Sequence, residues 1–182
     1  DPVVSILGQD ASVAQRRAVE AQLGLDRPLI VRFWAYLMQV LQGEFGISYR
    51  LGRPVVQVLV ERLPATVELA ATGMAIALLI GIPAGILAAI QRGSIGTRLL
   101  MGASLFGISV PTFFVGIVLI WVFSVTLSLL PSFGRGQVVA LGWWSTGFLT
   151  PSGQRALILP ALTIAVFQIA MIMRLVRAEM LE

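Results

Sequence analysis

The 182-residue chain contains no cysteine, no histidine and no lysine. Without cysteine and histidine there is no thiolate nucleophile, no disulfide, no Cys/His zinc site, no His-ligated haem and no Ser-His-Asp triad. Without lysine there is no Walker A loop, whose lysine reaches the terminal phosphates, and no Schiff-base chemistry. Charge is scarce as well. Only 12% of the residues are charged and 57% are apolar, against about 25% and about 45–50% in a soluble domain, so a water-facing surface cannot be covered; a mean hydropathy of +0.90 agrees. No catalytic residue and no metal-ligating group emerges. The net charge of +4 comes from scattered arginines rather than a basic patch, which argues against nucleic acid. The chain opens at Asp1-Pro2 with no basic n-region or cleavage site, and reads as a piece of something longer.

What is abundant is long apolar sequence. Leu69 to Gln91, Leu99 to Gly134 and Ala156 to Met173 carry no charge over 23, 36 and 18 residues, and a helix needs about 20 such residues to cross a hydrocarbon core. These runs predict an all-α, polytopic membrane helical bundle over 64–182, with spans at about 66–91, 99–130 and 156–175 and a loop over 131–155. The middle run exceeds one crossing, so Pro111 is expected to kink it or its far end to emerge as a loop. Gly73, Gly81 and Gly85 around Pro83, with Gly102, Gly107 and Gly116, suit close helix packing; a second reading makes Gly81, Pro83 and Gly85 points of helix flexibility.

Residues 1–63 differ. Residues 1–62 hold seven arginines and six acids, and no uncharged stretch exceeds the eleven residues Phe33 to Gly43, too short to span. This extramembrane segment reads as short helices. Ser12 and Gln15 form a capping box, and Gly24 ends that helix. Pro28 opens a second helix whose Leu29, Ile30, Phe33, Leu37, Val40 and Leu41 share a face opposite Arg32, Gln39 and Gln42, with Gly43 as its stop. That face serves docking against the rest of the protein, or lies in the lipid headgroups. A third short helix is expected from Pro54 to Leu63, with Pro64 resetting the chain.

Few side chains invite a functional role. Glu68 is the one acid near a span; an intramembrane acid suggests function, but near the helix start expected at Pro64 a carboxylate is favoured by the helix dipole and reaches water. Arg174 and Arg177 lie three apart at the end of the last span, for snorkelling or contact with a cytoplasmic partner; Arg92 and Arg98 in the short connection are further candidates for that contact. Ser109, Thr112 and Phe113 around Pro111 are candidates for a pathway wall, because a kinked helix exposes polar backbone only where it lines a cavity. Arginine counts on the two sides, four against five, leave orientation open. Trp143, Trp144, Phe133 and Phe148 give the loop over 131–155 an interfacial aromatic character.

Nine ordered strings resemble one family: L-G-L-D-R-P-L (Leu23 to Leu29), Q-G-E-F-G-I-S (Gln42 to Ser48), R-P-V (Arg53 to Val55), E-R-L-P-A-T-V-E-L-A (Glu61 to Ala70) and G-I-P-A-G-I-L-A-A (Gly81 to Ala89), then G-I-S-V-P-T-F (Gly107 to Phe113), L-P-S-F-G-R-G (Leu130 to Gly136), L-I-L-P-A-L-T (Leu157 to Thr163) and M-R-L-V-R-A-E-M-L (Met173 to Leu181). Together they are similar to the first-type permease subunit of bacterial dipeptide, oligopeptide and nickel ABC importers. The resemblance implies a partial type I importer permease in the bacterial inner membrane, with the segment 1–63 and the loop 131–155 in the periplasm and the Arg92 to Arg98 connection in the cytoplasm. It also implies a second homologous permease, two ATPase subunits that bind ATP and Mg, a periplasmic or lipid-anchored solute-binding protein, and lipid as partners. The chain itself would hold no cofactor and hydrolyse nothing. A secondary carrier or channel fragment, or a membrane assembly factor, are the alternatives; the intramembrane polar groups and inverted repeats that a carrier needs are not evident.

Overall fold

The computed structural model describes residues 12–15, 17, 24, 27–48 and 50–182. These form two compact units, Asp1–Glu61 and Arg62–Glu182. In the first, the capping box is made as expected: Gln15 N–H donates to Ser12 Oγ at 3.3 Å, and Ser12 N–H donates to Gln15 Oε1 at 3.0 Å. The helix expected to end at Gly24 lies mostly outside the described residues. Helix α1 is Leu29–Leu41; Pro28 stands one place before it, and Gly43, at φ +84°, lies just past its end. Its apolar face is uncovered within this unit. No residue of α1 is buried, and Leu29, Ile30, Phe33 and Leu41 are exposed, because no helix or strand of this unit packs over them.

Strand β1 (Ile47–Ser48) pairs antiparallel with β2 (Arg53–Pro54), Ile47 opposite Pro54. Pro54 therefore closes a hairpin instead of opening a helix. The helix that follows, α2, runs Val55–Ile90 without interruption, so the expected third short helix and the reset at Pro64 are both corrected. Proline removes one backbone donor and crowds the preceding turn, yet the Pro64 ring is fully buried, and the helix continues unbroken past it.

The second unit continues through α3 (Ile95–Ser109), α4 (Thr112–Ile120) with a π-helical extension over Trp121–Thr126, strands β3 (Val139–Leu141) and β4 (Trp144–Thr146), and α5 (Pro151–Glu179). Helices α2 and α5 are each long and apolar enough to cross a membrane. The middle run breaks at Pro111, where the kink is expected. It is two short helices, α3 and α4 with its extension, bent by 105°, and at about 1.5 Å per residue neither arm, about 22 Å long, crosses a core of about 30 Å alone. The spans number two, or three if the bent pair counts as one. The break has a local cause: Val110, pushed out of the helical region by the proline after it, sits at ψ 129°, and Pro111 follows at ψ 136°.

Small residues bring the long helices together. A Cβ on Gly73, Gly81 or Gly85 of α2 would strike Ile164, Ile172 or Val176 of α5, each partner at the same offset along the chain. The two helices therefore run parallel, and that register puts Ala77 opposite Gln168. The fully buried positions at their centre are alanines: Ala77, Ala88, Ala161 and Ala165. Such small-residue seams replace the hydrophobic effect as the means of association in lipid. Helices α3 and α4 pack against α5, Gly107 lying near Ala170 and Gly116 near Thr163.

Candidate functional site

The most constrained polar cluster of the second unit joins α2 to the loop before α5. Glu68 lies well inside α2, not at a helix start, and is only 4% exposed. This overturns the reading of Glu68 as a dipole-favoured, water-reaching carboxylate: with α2 running back to Val55, no free helix terminus is nearby. Its Oε2 accepts from Arg135 Nη2 at 3.3 Å and from the Gly147 backbone N–H at 3.2 Å. Arg135 in turn donates through Nη1 to Ser145 Oγ at 2.8 Å and through Nη2 to the Ser145 carbonyl at 2.5 Å. One carboxylate and one guanidinium thus tie α2, the segment at Arg135 and strand β4.

Local sequence makes this possible. Gly134 and Gly136, at φ +92° and +66°, flank Arg135 and reverse the chain on both sides of it; a Cβ on Gly136 would also lie 2.5 Å from the Ser152 carbonyl. Strands β3 and β4 pair with Leu141 opposite Trp144, and Gly142 takes a positive φ at the first position of the two-residue turn, as a II′ turn requires. Thr150 then caps α5, accepting from Gly153 N–H at 3.1 Å, and its hydroxyl donates to the Gln137 carbonyl. Gln137 N–H donates to Ser152 Oγ at 3.0 Å. The loop is a hairpin stapled at its base to two helices.

Beside the ion pair lies a cavity of about 330 Å³ whose wall includes Arg62, Glu68, Leu69, Arg135 and Pro160. Glu68 Oε1 and Arg135 Nε are buried without a hydrogen-bond partner. The charges of the cluster are spent on holding α2, the Arg135 segment and strand β4 together.

The residues singled out from sequence are distributed elsewhere. Ser109, Pro111, Thr112 and Phe113 are exposed at the bend, and Ser109 Oγ donates back to the Leu105 carbonyl at 2.8 Å. They do not line the inner side of the bend, where a cavity of about 210 Å³ is walled by Gly107, Val110, Phe114 and Val166. Gly81 and Gly85 are buried in the α2–α5 seam, while Pro83 points outward in an unbroken helix. Arg92 and Arg98 are exposed. Arg174 and Arg177 share a cavity of about 420 Å³ with Met101, Ser104 and Leu105, and Arg177 Nε donates to the Ala88 carbonyl at 3.4 Å. Two of those four arginines are brought together. Sequence reasoning missed the Glu68–Arg135 pair and the half-buried Gln168 in mid-helix; the signal available was a lone acid in an apolar run together with an arginine between two glycines.

Comparison with known proteins gives consistent results along the chain. Residues 81–182 match the family described as binding-protein-dependent transport system inner membrane component, and residues 1–70 match the N-terminal part of such membrane components. A putative peptide transport system permease protein of Brucella abortus (strain 2308) is 38% identical over 184 residues, covering all of this chain and 55% of the relative. The probable D,D-dipeptide transport system permease protein DdpB of Escherichia coli (strain K12) is 38% identical over 200 residues, covering all of the chain and 57% of the relative. The glutathione transport system permease protein GsiC of Escherichia coli O1:K1 / APEC is 37% identical over 182 residues, covering all of the chain and 54% of the relative. The chain spans about half the length of the curated relatives it matches.

Proposed function

The chain belongs to the family of inner membrane components of binding-protein-dependent transport systems, and from that premise we propose that it is part of the transmembrane permease subunit of an ATP-driven importer for peptides or similar small solutes. The observation that carries the reading is the match along the whole chain to permeases named for peptide, D,D-dipeptide and glutathione transport, joined to two span-length helices and a bent third pair. Transport here is pathway work. Packed helices shift between two arrangements, and differential solute affinity sets their populations; the chain supplies walls and joints.

In this reading the stapled loop over 131–155 and the segment 1–63 face the periplasm, and the Arg92 to Arg98 connection faces the cytoplasm. The Glu68–Arg135 clamp then holds the periplasmic hairpin at a fixed place on α2, where an incoming solute-binding protein meets a preset surface. Ser109, Pro111, Thr112 and Phe113 stand at the one break in the apolar helices, the place where a pathway wall can present polar backbone. A second homologous permease completes the pathway, and two ATPase subunits bind ATP and Mg and drive it; this chain holds no cofactor.

Reconstitution tests the proposal. The full-length subunit, co-expressed with its neighbouring permease and ATPases, is expected to bring down the ATPase subunits and to support uptake of a small peptide into vesicles only when ATP is present on the ATPase side. Uptake that persists without ATP, with no ATPase retained, would reject the importer in favour of a secondary carrier.

A further inference from the structure

Arg174 and Arg177 close off the apolar run Ala156–Met173, and both line the cavity of about 420 Å³ between α3 and α5. Its other walls are Met101, Leu105, Ala178 and the buried Ser104, whose hydroxyl donates to the Met101 carbonyl at 2.7 Å. No acid lines it. Glu179 and Glu182 are the nearest acids in sequence, and neither pairs with an arginine among the described residues. Two arginines therefore share one pocket with no counter-charge among the described residues. Around them the surface is apolar: Ile95, Leu99, Leu105 and Leu175 are each more than half exposed.

A cationic pocket at the end of a membrane run, bordered by apolar surface, matches one kind of molecule at both of its ends. We infer that this cavity binds the phosphate of an anionic phospholipid, with the acyl chains lying on the apolar surface of α3 and α5. The guanidinium fork suits phosphate oxygens in bidentate fashion, and basic pockets between membrane helices are sites for anionic headgroups. The two arginines sit three residues apart on one face of α5, close enough to engage one phosphate or two neighbouring ones. A zwitterionic lipid brings its own ammonium to the pocket and so loses most of the attraction. Arg177 is also tied to the Ala88 carbonyl of α2, so a lipid seated here would join all three helices.

Native mass spectrometry of the full permease assembly in neutral detergent tests this. After delipidation, added phosphatidylglycerol is expected to remain bound at concentrations where phosphatidylcholine does not. The variant R174Q/R177Q should weaken phosphatidylglycerol binding by roughly 30-fold, at about fivefold per arginine near a membrane surface. The single R174Q variant leaves the Arg177 contact to Ala88 in place and should lose about fivefold without loss of assembly; R174K, which keeps the charge but not the fork, should lose less than R174Q, and R53Q, in the other unit, should lose nothing. Equal binding of the two lipids, or R174Q indistinguishable from the parent, would overturn the inference. So would displacement by millimolar inorganic phosphate, which would mark a soluble-anion site, or displacement by the ATPase subunits, which would mark a protein contact. None of these outcomes depends on whether transport is ATP-driven.

Discussion

At Arg135 and Glu68 the question is what a low-dielectric setting does to a pair of charges. Glu68 is 4% exposed and the Arg135 side chain 31%, so removing the arginine strands the more deeply buried partner. Breaking a buried pair in this way costs about 3–5 kcal/mol, and the partial exposure of Arg135 puts R135A near the lower figure. E68Q should cost less, because an amide oxygen can still accept from Gly147 N–H. We expect the order R135A, then E68Q, in thermal unfolding in detergent, with the double variant E68Q/R135A more stable than R135A alone. Hydrogen exchange gives a local check: the Gly147 amide should stay protected in E68Q and lose protection in E68A. An additive double variant would show that the two charges do not act as a pair.

Between helices, the glycines of α2 and α3 make opposite predictions from one residue type. A Cβ on Gly85 would lie 2.8 Å from the Met173 carbonyl, whereas one on Gly102 meets nothing within 4 Å. Overpacking costs about 1–3 kcal/mol, and alanine gains up to about 1 kcal/mol over glycine in an open helix. G85A should therefore lower the melting temperature and G102A hold or raise it. Pro111 breaks its helical run, whereas three other prolines stand inside unbroken helices. Pro64, Pro83 and Pro160 are carried inside α2 and α5, where the buried Pro64, Gly81, Gly85 and Leu159 lock the backbone in the seam; Val110 and Pro111 have no such cover. P111A restores a donor and removes the restriction on Val110. The distance between spin labels at Arg98 and Thr126, placed in a chain with no native cysteine, should lengthen from roughly 25 Å toward roughly 42 Å as the arms align. An unchanged distance would assign the bend to packing on α5.

For the whole molecule, exposure of large apolar side chains is the governing fact. Leu79 is 75% exposed, Phe106 69% and Phe113 69%, and the most apolar stretches of the two span-length helices are only 33% buried, which suits lipid rather than water. The chain should extract from membranes only with detergent and aggregate when detergent is removed; a monodisperse species in plain buffer by light scattering would contradict the membrane assignment. The membrane character, the helical class, the caps at Ser12 and Gly43, and the family resemblance were all legible in the sequence, since each depends on composition or on neighbours a few residues apart. The Glu68–Arg135 pair was not, because its members lie 67 positions apart and only the hairpin brings them together. The uninterrupted passage of α2 through Pro64 was hidden for the same reason: local proline chemistry argues for a stop, and packing overrules it.

Composition alone determined that this chain lives in lipid and that its 182 residues offer no thiol, imidazole or lysine side chain, because transfer free energies and reactive groups belong to residues whatever their arrangement. Tertiary structure decided which charges meet, which glycines face a neighbour and which proline bends the chain. Those outcomes depend on distance in space, and a list of residues does not contain it.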